Sequence, residues 1–434
     1  MQVFHTSAKK SEKSLSKTCF FLDEKRQTGN IYRYIEVNDF KMGVYAMKNK
    51  YSRRSLKQVE LFLKNNIIKP LKSGSIIARA HLHRTALERF GDICFIGITG
   101  SCGKTTTTGL IASILEHEGP LRKSNDTNST FFIAKTLLEV SRRDRFCVIE
   151  VSAHAPGVIG KSVKLLRPDI GIVTHIGKDH HSRYRSLEVT AAEKVKLVES
   201  LPPYGAAVLN ADDPYVYAMR KQTAAKVITY GLSEEAMVRG ENVTCCWPNP
   251  MSLDVCFDGN RYHLQTRLLG EHWAWAVLAA LSTAMAVGVE FERGIRALED
   301  FDPLPSRMSQ HTTPDGVVFI RDDNKAPLWT IKACLDFLRN AQADRKFLVA
   351  GSISDTPKGD SQRYRAVIRQ AAGAVDRIFF VGGHARSALK ARADKDDDSI
   401  MAFDNLYDLN TYFADYLKSG DLVLLKGSKK IDHL

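Results

Sequence analysis

The stretch Phe95–Leu115, FIGITGSCGKTTTTGLIASIL, decides how the rest of the chain is read. Its first residues form an apolar run suited to a buried strand, and its last residues carry apolar side chains at helical spacing. Between them lies Gly-Ser-Cys-Gly-Lys-Thr. A glycine-rich loop that joins a strand to a helix N-terminus turns backbone N–H groups toward phosphate oxygens. Gly100 and Gly103 let the backbone approach closely, and Ser101, Cys102 and Thr106 complete the loop. Lys104 can bridge outer phosphates, and the Thr105 hydroxyl can ligate magnesium. Ile98 stands where the commoner form of this loop has glycine, so this is the shorter variety. Hydrolysis, phosphoryl transfer to a product, and activation of an acid for bond formation all begin with such a loop. The other polar segments must decide between them.

Outward from the loop, apolar strands alternate with amphipathic helices. FFIAKTLLEVSRR reads as a helix, RFCVIEV and DIGIVTHIG as strands, SLEVTAAEKVKLVESL as a helix, and GAAVLNADD and AAKVITYG as two more strands. This rhythm predicts an α/β fold with crossover helices. ENVTCCWPNPMSLDVCFDGNRYHLQTRLLG breaks it and reads as edge hairpins. HWAWAVLAALSTAMAVGV is then an apolar helix. The proline-bearing DFDPLPSR suits a domain boundary. A second α/β unit follows, from GVVFIRDD to DLVLLKGS, with strands apolar throughout as buried parallel strands are. The expected domains are 1–90, a basic and divergent substrate-side region with a helix over SLKQVELFLKNNII; 91–302, holding the phosphate loop; and 303–434, a smaller α/β unit.

At 434 residues the chain exceeds one ordinary core. No run reaches the roughly 18 apolar residues of a membrane helix. The N-terminus lacks the apolar core of a secretory signal, and a cytoplasmic location is expected. Eight scattered cysteines form no CxxC pair, which suits reduced thiols. The net charge of +13 draws polyanions, but no finger or RNP-like spacing accompanies it, so anionic small substrates are expected rather than nucleic acid.

Further segments carry candidate chemistry. Glu150 ends an apolar strand, at the edge where open α/β sheets bind ligands, and a carboxylate there can hold magnesium against phosphates. THIGKDHH offers His175, Asp179, His180 and His181, whose nitrogen and oxygen ligands suit magnesium or manganese. Arg307 follows the proline-rich linker, and a guanidinium suits polyphosphate. In ordered succession, GITGSCGKTTTT, VIEVSAHA, VTHIGKDHH, VLNADDPYV, GEHWAWAVLAA, LPSRM, RDDNKAP and GDLVLLKGSKK resemble the segments of the Mur ligase superfamily over roughly residues 92–430.

The resemblance implies a P-loop central domain followed by a smaller Rossmann-like α/β domain. It implies ATP-dependent, ADP-forming ligation through an acyl phosphate, joining a small-molecule or peptide carboxylate to an amino-acid-like amine. A P-loop phosphotransferase or ATPase that forms no amide is the alternative. The implied catalytic set is Lys104, Glu150, His180, Lys194, Asp323 and Lys325, with Asp322 a one-residue alternative to Asp323. Metal ligands would be Thr105, Glu150, His180 and Lys194, the last as a carbamate, with Lys196 its rival. His272 and Arg307 would contact the nucleotide with the loop and Asp323. The family's usual Asn is replaced by His175, and its asparagines after His272 by Trp273 and Ala276. Arg122 to Phe132 would face the acid substrate. The first 90 residues lack a visible glycine-rich nucleotide turn, which argues against a UDP-sugar.

Overall fold

A computed structural model describes residues 19–22, 33–38, 41–43, 69–124, 129–152, 155–178, 186–354, 359–383, 385–392, 398–429, 431, 432 and 434. The chain divides into two compact units, Met1–Lys72 and Ser73–Leu434. In the first, β1 (Cys19–Leu22), β2 (Arg33–Asn38) and β3 (Lys41–Gly43) form an antiparallel three-stranded sheet in that order. The helix expected over SLKQVELFLKNNII lies outside the described residues.

Helix α1 (Lys69–Phe90) carries the chain into the second unit, and the sequence reading missed it. Its apolar residues form no stripe, so periodicity could not find it. What fixes it is a narrow contact. Ala80 and Leu87 are buried against Phe95 and Ile133, and the buried Arg84 lies over the Phe95 ring. The Arg84 guanidinium also donates to the carbonyls of Leu166 and Arg167, both at 2.8 Å, which satisfies acceptors at a helix end.

The larger sheet of this unit grows from β4 (Cys94–Thr99), which leads into α2 (Lys104–Leu115). Next come β5 (Leu121–Lys123), α3 (Thr130–Glu139), β6 (Phe146–Glu150), α4 (Val158–Leu166), β7 (Ile170–Val173) and α5 (Leu187–Glu199). Then follow β8 (Ala206–Asn210), α6 (Pro214–Ala218), β9 (Lys226–Gly231), β10 (Val238–Cys246), β11 (Asn249–Phe257) and β12 (Asn260–Gln265). The order is β12-β11-β10-β9-β8-β7-β4-β6-β5, parallel from β10 to β5 and antiparallel over the edge strands β11 and β12. Strands β6, β7 and β8 are buried along their whole length, as strands covered on both faces must be. The chain leaves β4 for β5 on one side and later β7 on the other, so β4 is the switch point where such sheets bind ligands. Helix α7 (Ala274–Ala286), nearly all buried, packs with α8 (Phe291–Glu299) against α2.

From Ser309 the strands build a separate sheet. They are β13 (Ser309–Thr312), β14 (Val318–Asp322), β15 (Arg345–Ala350), β16 (Arg377–Val381), β17 (Ile400–Phe403) and β18 (Asp421–Lys426). Between them run α9 (Ile331–Asn340), α10 (Asp360–Ala371), α11 (Ala385–Leu389) and α12 (Leu406–Tyr416). The order is β13-β14-β18-β15-β16-β17, antiparallel only at β13. Among the described residues no helix is long and apolar enough to cross a membrane.

Candidate functional site

The loop after β4 is shaped by two glycines. Gly100 has φ +150°, and a Cβ there would fall 1.8 Å from the Thr174 hydroxyl. Gly103 (φ 77°) precedes α2 in the left-handed conformation, and a Cβ there would meet only the Thr107 hydroxyl, at 3.9 Å. The first turn of α2 holds no acid, so its positive end is uncompensated. Lys104 Nζ donates to the Gly100 carbonyl at 2.6 Å, folding the side chain back over its own loop. Behind the loop, Thr106, Thr107 and Thr108 are buried, and their hydroxyls find no partner among the described residues.

The segment after β7 pins this loop from one side. Ser101 N donates to the His175 carbonyl at 2.8 Å, Thr174 Oγ1 to the Cys102 carbonyl at 2.6 Å, and Gly177 N to Ser101 Oγ at 2.9 Å. That segment is itself held from β8. Asn210 Nδ2 donates to the Thr174 carbonyl at 2.9 Å, and Asp213 takes His175 Nδ1 and Ile176 N, both at 2.7 Å. Burial raises the Asp213 carboxyl, but the bonds from His175 and Ile176 outweigh it and leave its pKa lowered. Asp213 also accepts from Tyr215 N and Val216 N and so caps α6. Asp212 gathers Leu232 N at 2.7 Å, Ser233 N at 2.9 Å and the Trp275 indole N–H at 2.6 Å. The residues of VLNADDPYV therefore act on the loop's scaffold. Trp275 is spoken for by Asp212, and Trp273 lies in the core.

On the other side of β4, Glu150 ends β6 opposite Ile98. It is buried, with 2% exposure, and its Oε1 has no partner among the described residues. Lys194 on α5 is buried at 1% exposure. Its rival Lys196 is half-buried and pairs at 2.5 Å with Glu193, which also receives Gly157 N and Ile159 N at the start of α4. Asp179, His180 and His181 lie outside the described residues, as do Asn125, Asp126, Thr127 and Asn128 of the segment expected to face the acid. No cluster of three His, Cys, Asp or Glu side chains forms a metal cage among the described residues. The orphaned Glu150 oxygen, at the end of the strand beside β4, nonetheless fits Mg²⁺, which keeps waters and takes phosphate oxygens rather than needing an all-protein cage.

The second sheet brings its own polar edge to this region. Asp322, at the end of β14, is bound by Lys426 of β18 and by Cys334 Sγ at 3.0 Å, so that carboxylate is taken. Asp323 is fully buried; its Oδ2 accepts from Arg321 at 2.8 Å and its Oδ1 has no partner among the described residues. Lys325 is exposed and Arg307 half-buried, with Ser306 (φ 61°) and Met308 (φ 55°) in left-handed conformations beside it. His272 opens the turn before α7. Burial drives its pKa down to about 4, against the attraction of Asp322 and with help from Lys426, and its Nδ1 is unpartnered. Trp329, which sequence reasoning passed over, sits against Gly177: a Cβ on Gly177 would fall 2.8 Å from the indole. A recess of about 310 Å³ is lined by Pro248, Arg267, Asp302, Pro303 and Gln310 among others, none of them in the phosphate loop.

The model of the Mur ligase middle domain matches residues 98–284, and that of the Mur ligase glutamate ligase domain matches residues 306–429. The UDP-N-acetylmuramoyl-tripeptide–D-alanyl-D-alanine ligase of Mycobacterium tuberculosis is 30% identical over 371 residues, covering 78% of this chain and 71% of the relative. A crystal structure of MurF from Acinetobacter baumannii superposes with a TM-score of 0.74 at 22% identity, covering 82% of this chain and 78% of the other. MurF from Thermotoga maritima, solved in complex with ADP, superposes with a TM-score of 0.72 at 19% identity, covering 82% and 81%.

Proposed function

Because the chain belongs to the Mur ligase family, we propose that it joins a peptide carboxylate to the amine of a D-alanyl-D-alanine-like dipeptide; the relative's name favours an anionic carrier of the UDP-N-acetylmuramoyl-tripeptide type, against the expectation drawn from the first 90 residues. The reaction class is ATP-dependent amide formation. A carboxylate oxygen attacks the γ-phosphorus and ADP leaves. The amine then attacks the acyl carbon, phosphate departs with the original carboxylate oxygen, and the nitrogen loses a proton.

One observation carries the reading: Trp329, in the segment that follows β14 and Asp323, is seated on the segment that hydrogen-bonds the phosphate loop. Juxtaposing two α/β sheets keeps water from an acyl phosphate and orients the amine. A simple ATPase, whose acceptor is water, has no such need, and nothing supports a phosphotransferase that forms no amide. We assign Gly100 to Thr106 to the polyphosphate, with Lys104 compensating charge as it shifts in transfer. Thr105, Glu150, His180 and Lys194 would hold Mg²⁺, Lys194 as a carbamate, and the ion would screen the phosphates when bound. His272 and Arg307 are assigned to the nucleotide, and Asp323 and Lys325 to the reacting phosphoryl group. We place the boundary between the two catalytic domains in the linker at 302–303, assign acid recognition to the first 90 residues, and locate the reaction in the cytoplasm. The basic balance suits an anionic acid substrate.

The test incubates protein, ATP and Mg²⁺ with UDP-N-acetylmuramoyl tripeptide or free tripeptide, and with the dipeptide or a pool of single amino acids. Mass spectrometry should find a product lighter by one water than acid plus dipeptide, formed from the UDP-linked acid. Turnover of the free tripeptide alone, or of a single amino acid with the dipeptide inert, would overturn the assignment.

A further inference from the structure

We propose that Trp329 is a positioning residue that docks the second sheet on the phosphate loop and reports to it whether the loop is filled. The inference rests on the ligase reading above, in which closure protects the acyl phosphate.

The contact is built from both sides. Trp329 lies in a 3₁₀ turn, Leu328–Thr330, directly after the Asp323–Pro327 segment. That turn is fixed to its own sheet: Leu328 N donates to Ser354 O at 3.1 Å, and Ser354 N to Ala326 O at 2.9 Å. On the other side, the indole fits only because residue 177 has no side chain. A Cβ there would stand 2.8 Å from Cη2 and 2.9 Å from Cζ2, closer than real Cβ atoms approach. Gly177 in turn grips Ser101 of the loop twice, accepting from Ser101 Oγ at 3.2 Å and donating to it at 2.9 Å. The Trp329 ring also lies 5.7 Å from the His175 ring, whose backbone carbonyl holds Ser101 N and whose imidazole is anchored by Asp213.

One residue thus separates the indole from a phosphate-loop serine. Interiors pack too densely for the loop to shift without moving what lies on it. Any displacement of Ser101 on nucleotide binding passes through Gly177 to Trp329, and from there to Asp323 a few residues upstream. The indole N–H is buried and finds no acceptor among the described residues, so the contact with Gly177 rests on shape.

The experiment compares wild type with Trp329→Phe, Trp329→Ala and Gly177→Ala, each checked for folding by Tm. Tryptophan emission is followed on adding Mg·ADP, and the ADP-to-amide ratio, kcat and KM for ATP are measured in full turnover. Trp329→Ala and Gly177→Ala should lower kcat for amide formation about ten- to a hundredfold. KM for ATP should stay within about threefold, and the ADP-to-amide ratio should rise above one. Trp329→Phe should recover most of the activity while losing the emission response, both read in a Trp247→Phe background because Trp247 also bridges the two sheets through Gln310 and Gln342. Wild-type kcat and coupling in folded Trp329→Ala would overturn the proposal. So would losses that merely track Tm, or an ADP response unchanged in Trp329→Phe. The emission arm needs neither acid nor amine. A response that depends on Trp329, in a protein that forms no amide, would support the contact and sink the ligase reading alone.

Discussion

Replacing Gly100 by alanine tests how the phosphate loop is held. The glycine's φ of +150° is one that side chains rarely adopt, and a Cβ would fall 1.8 Å from Thr174 Oγ1. Holding a side chain in such a backbone region costs about 1–3 kcal/mol. Thr174 must also swing away, breaking its 2.6 Å bond to the Cys102 carbonyl; a buried acceptor left unpaired costs about 1–3 kcal/mol. Relaxation recovers part of this, so Gly100→Ala should destabilise by about 2–4 kcal/mol and raise KM for ATP at least about tenfold. Thr174→Ala alone loses only the hydrogen bond, about 1–2 kcal/mol. Because both variants sever the same bond, the double mutant should fall short of the sum by at least about 1 kcal/mol. Urea unfolding of the four proteins, with KM for ATP on each, measures this. Additivity within about 0.5 kcal/mol would refute the close approach of Gly100 and Thr174.

Other perturbations follow from the same geometry. Lys194→Ala should abolish ADP formation, with bicarbonate raising wild-type activity and adding the mass of CO₂. Lys196→Ala leaves the buried Glu193 only its two backbone donors, Gly157 N and Ile159 N, and should cost about 1–2 kcal/mol of stability while leaving turnover near normal; the reverse pattern would exchange the two roles. Asp212→Ala orphans three donors, Leu232 N, Ser233 N and Trp275 Nε1, and should lower unfolding stability by about 2–4 kcal/mol; an unchanged denaturation midpoint would contradict the network. His272, held near a pKa of about 4 by burial, resists protonation when folded and accepts it when unfolded. Its contribution is therefore complete above the ordinary histidine value of about 6.5 and declines as pH falls toward 4. Between pH 7 and 4.5, wild type should lose about 1–2 kcal/mol more than His272→Gln, a figure reduced because the ring keeps some solvent contact. Parallel pH profiles would rule this out.

The central strand, the phosphate loop and α2 were legible because three local signals coincide there: an apolar run, glycines at the turn, and helical spacing. The edge hairpins β10–β12 showed because their segment breaks the strand–helix rhythm, and the parallel strands of the second sheet because each is a nearly continuous apolar run. Helix α1 did not. Its residues are basic and lack an apolar stripe, and Ala80, His83, Arg84, Leu87 and Glu88 anchor it through partners far along the chain. The candidate site was legible as residue types but not as roles. Asp212 and Asp213 stand side by side in the sequence, yet one caps the turn at Leu232 and Ser233 and the other orients His175. Asp322 and Asp323 are likewise alike in the sequence, and what distinguishes their surroundings is Lys426, which arrives from the last strand to bind the first of them. Trp329 looked like any aromatic at the start of an amphipathic helix. Its meeting with Gly177 depends on how the second sheet packs, which no local pattern records.

Oxygen tracing tests directly the proposed transfer of a γ-phosphoryl group to a carboxylate before the amide forms. With UDP-N-acetylmuramoyl tripeptide labelled with ¹⁸O in its reacting carboxylate, the protein is incubated with unlabelled ATP, Mg²⁺ and the dipeptide. Mass spectrometry of the released phosphate then reads the path. One ¹⁸O atom should appear in the phosphate for each amide formed, and none in the phosphate released without the acid. Amide formation with unlabelled phosphate, or label-free phosphate released regardless of the acid, would contradict the acyl phosphate.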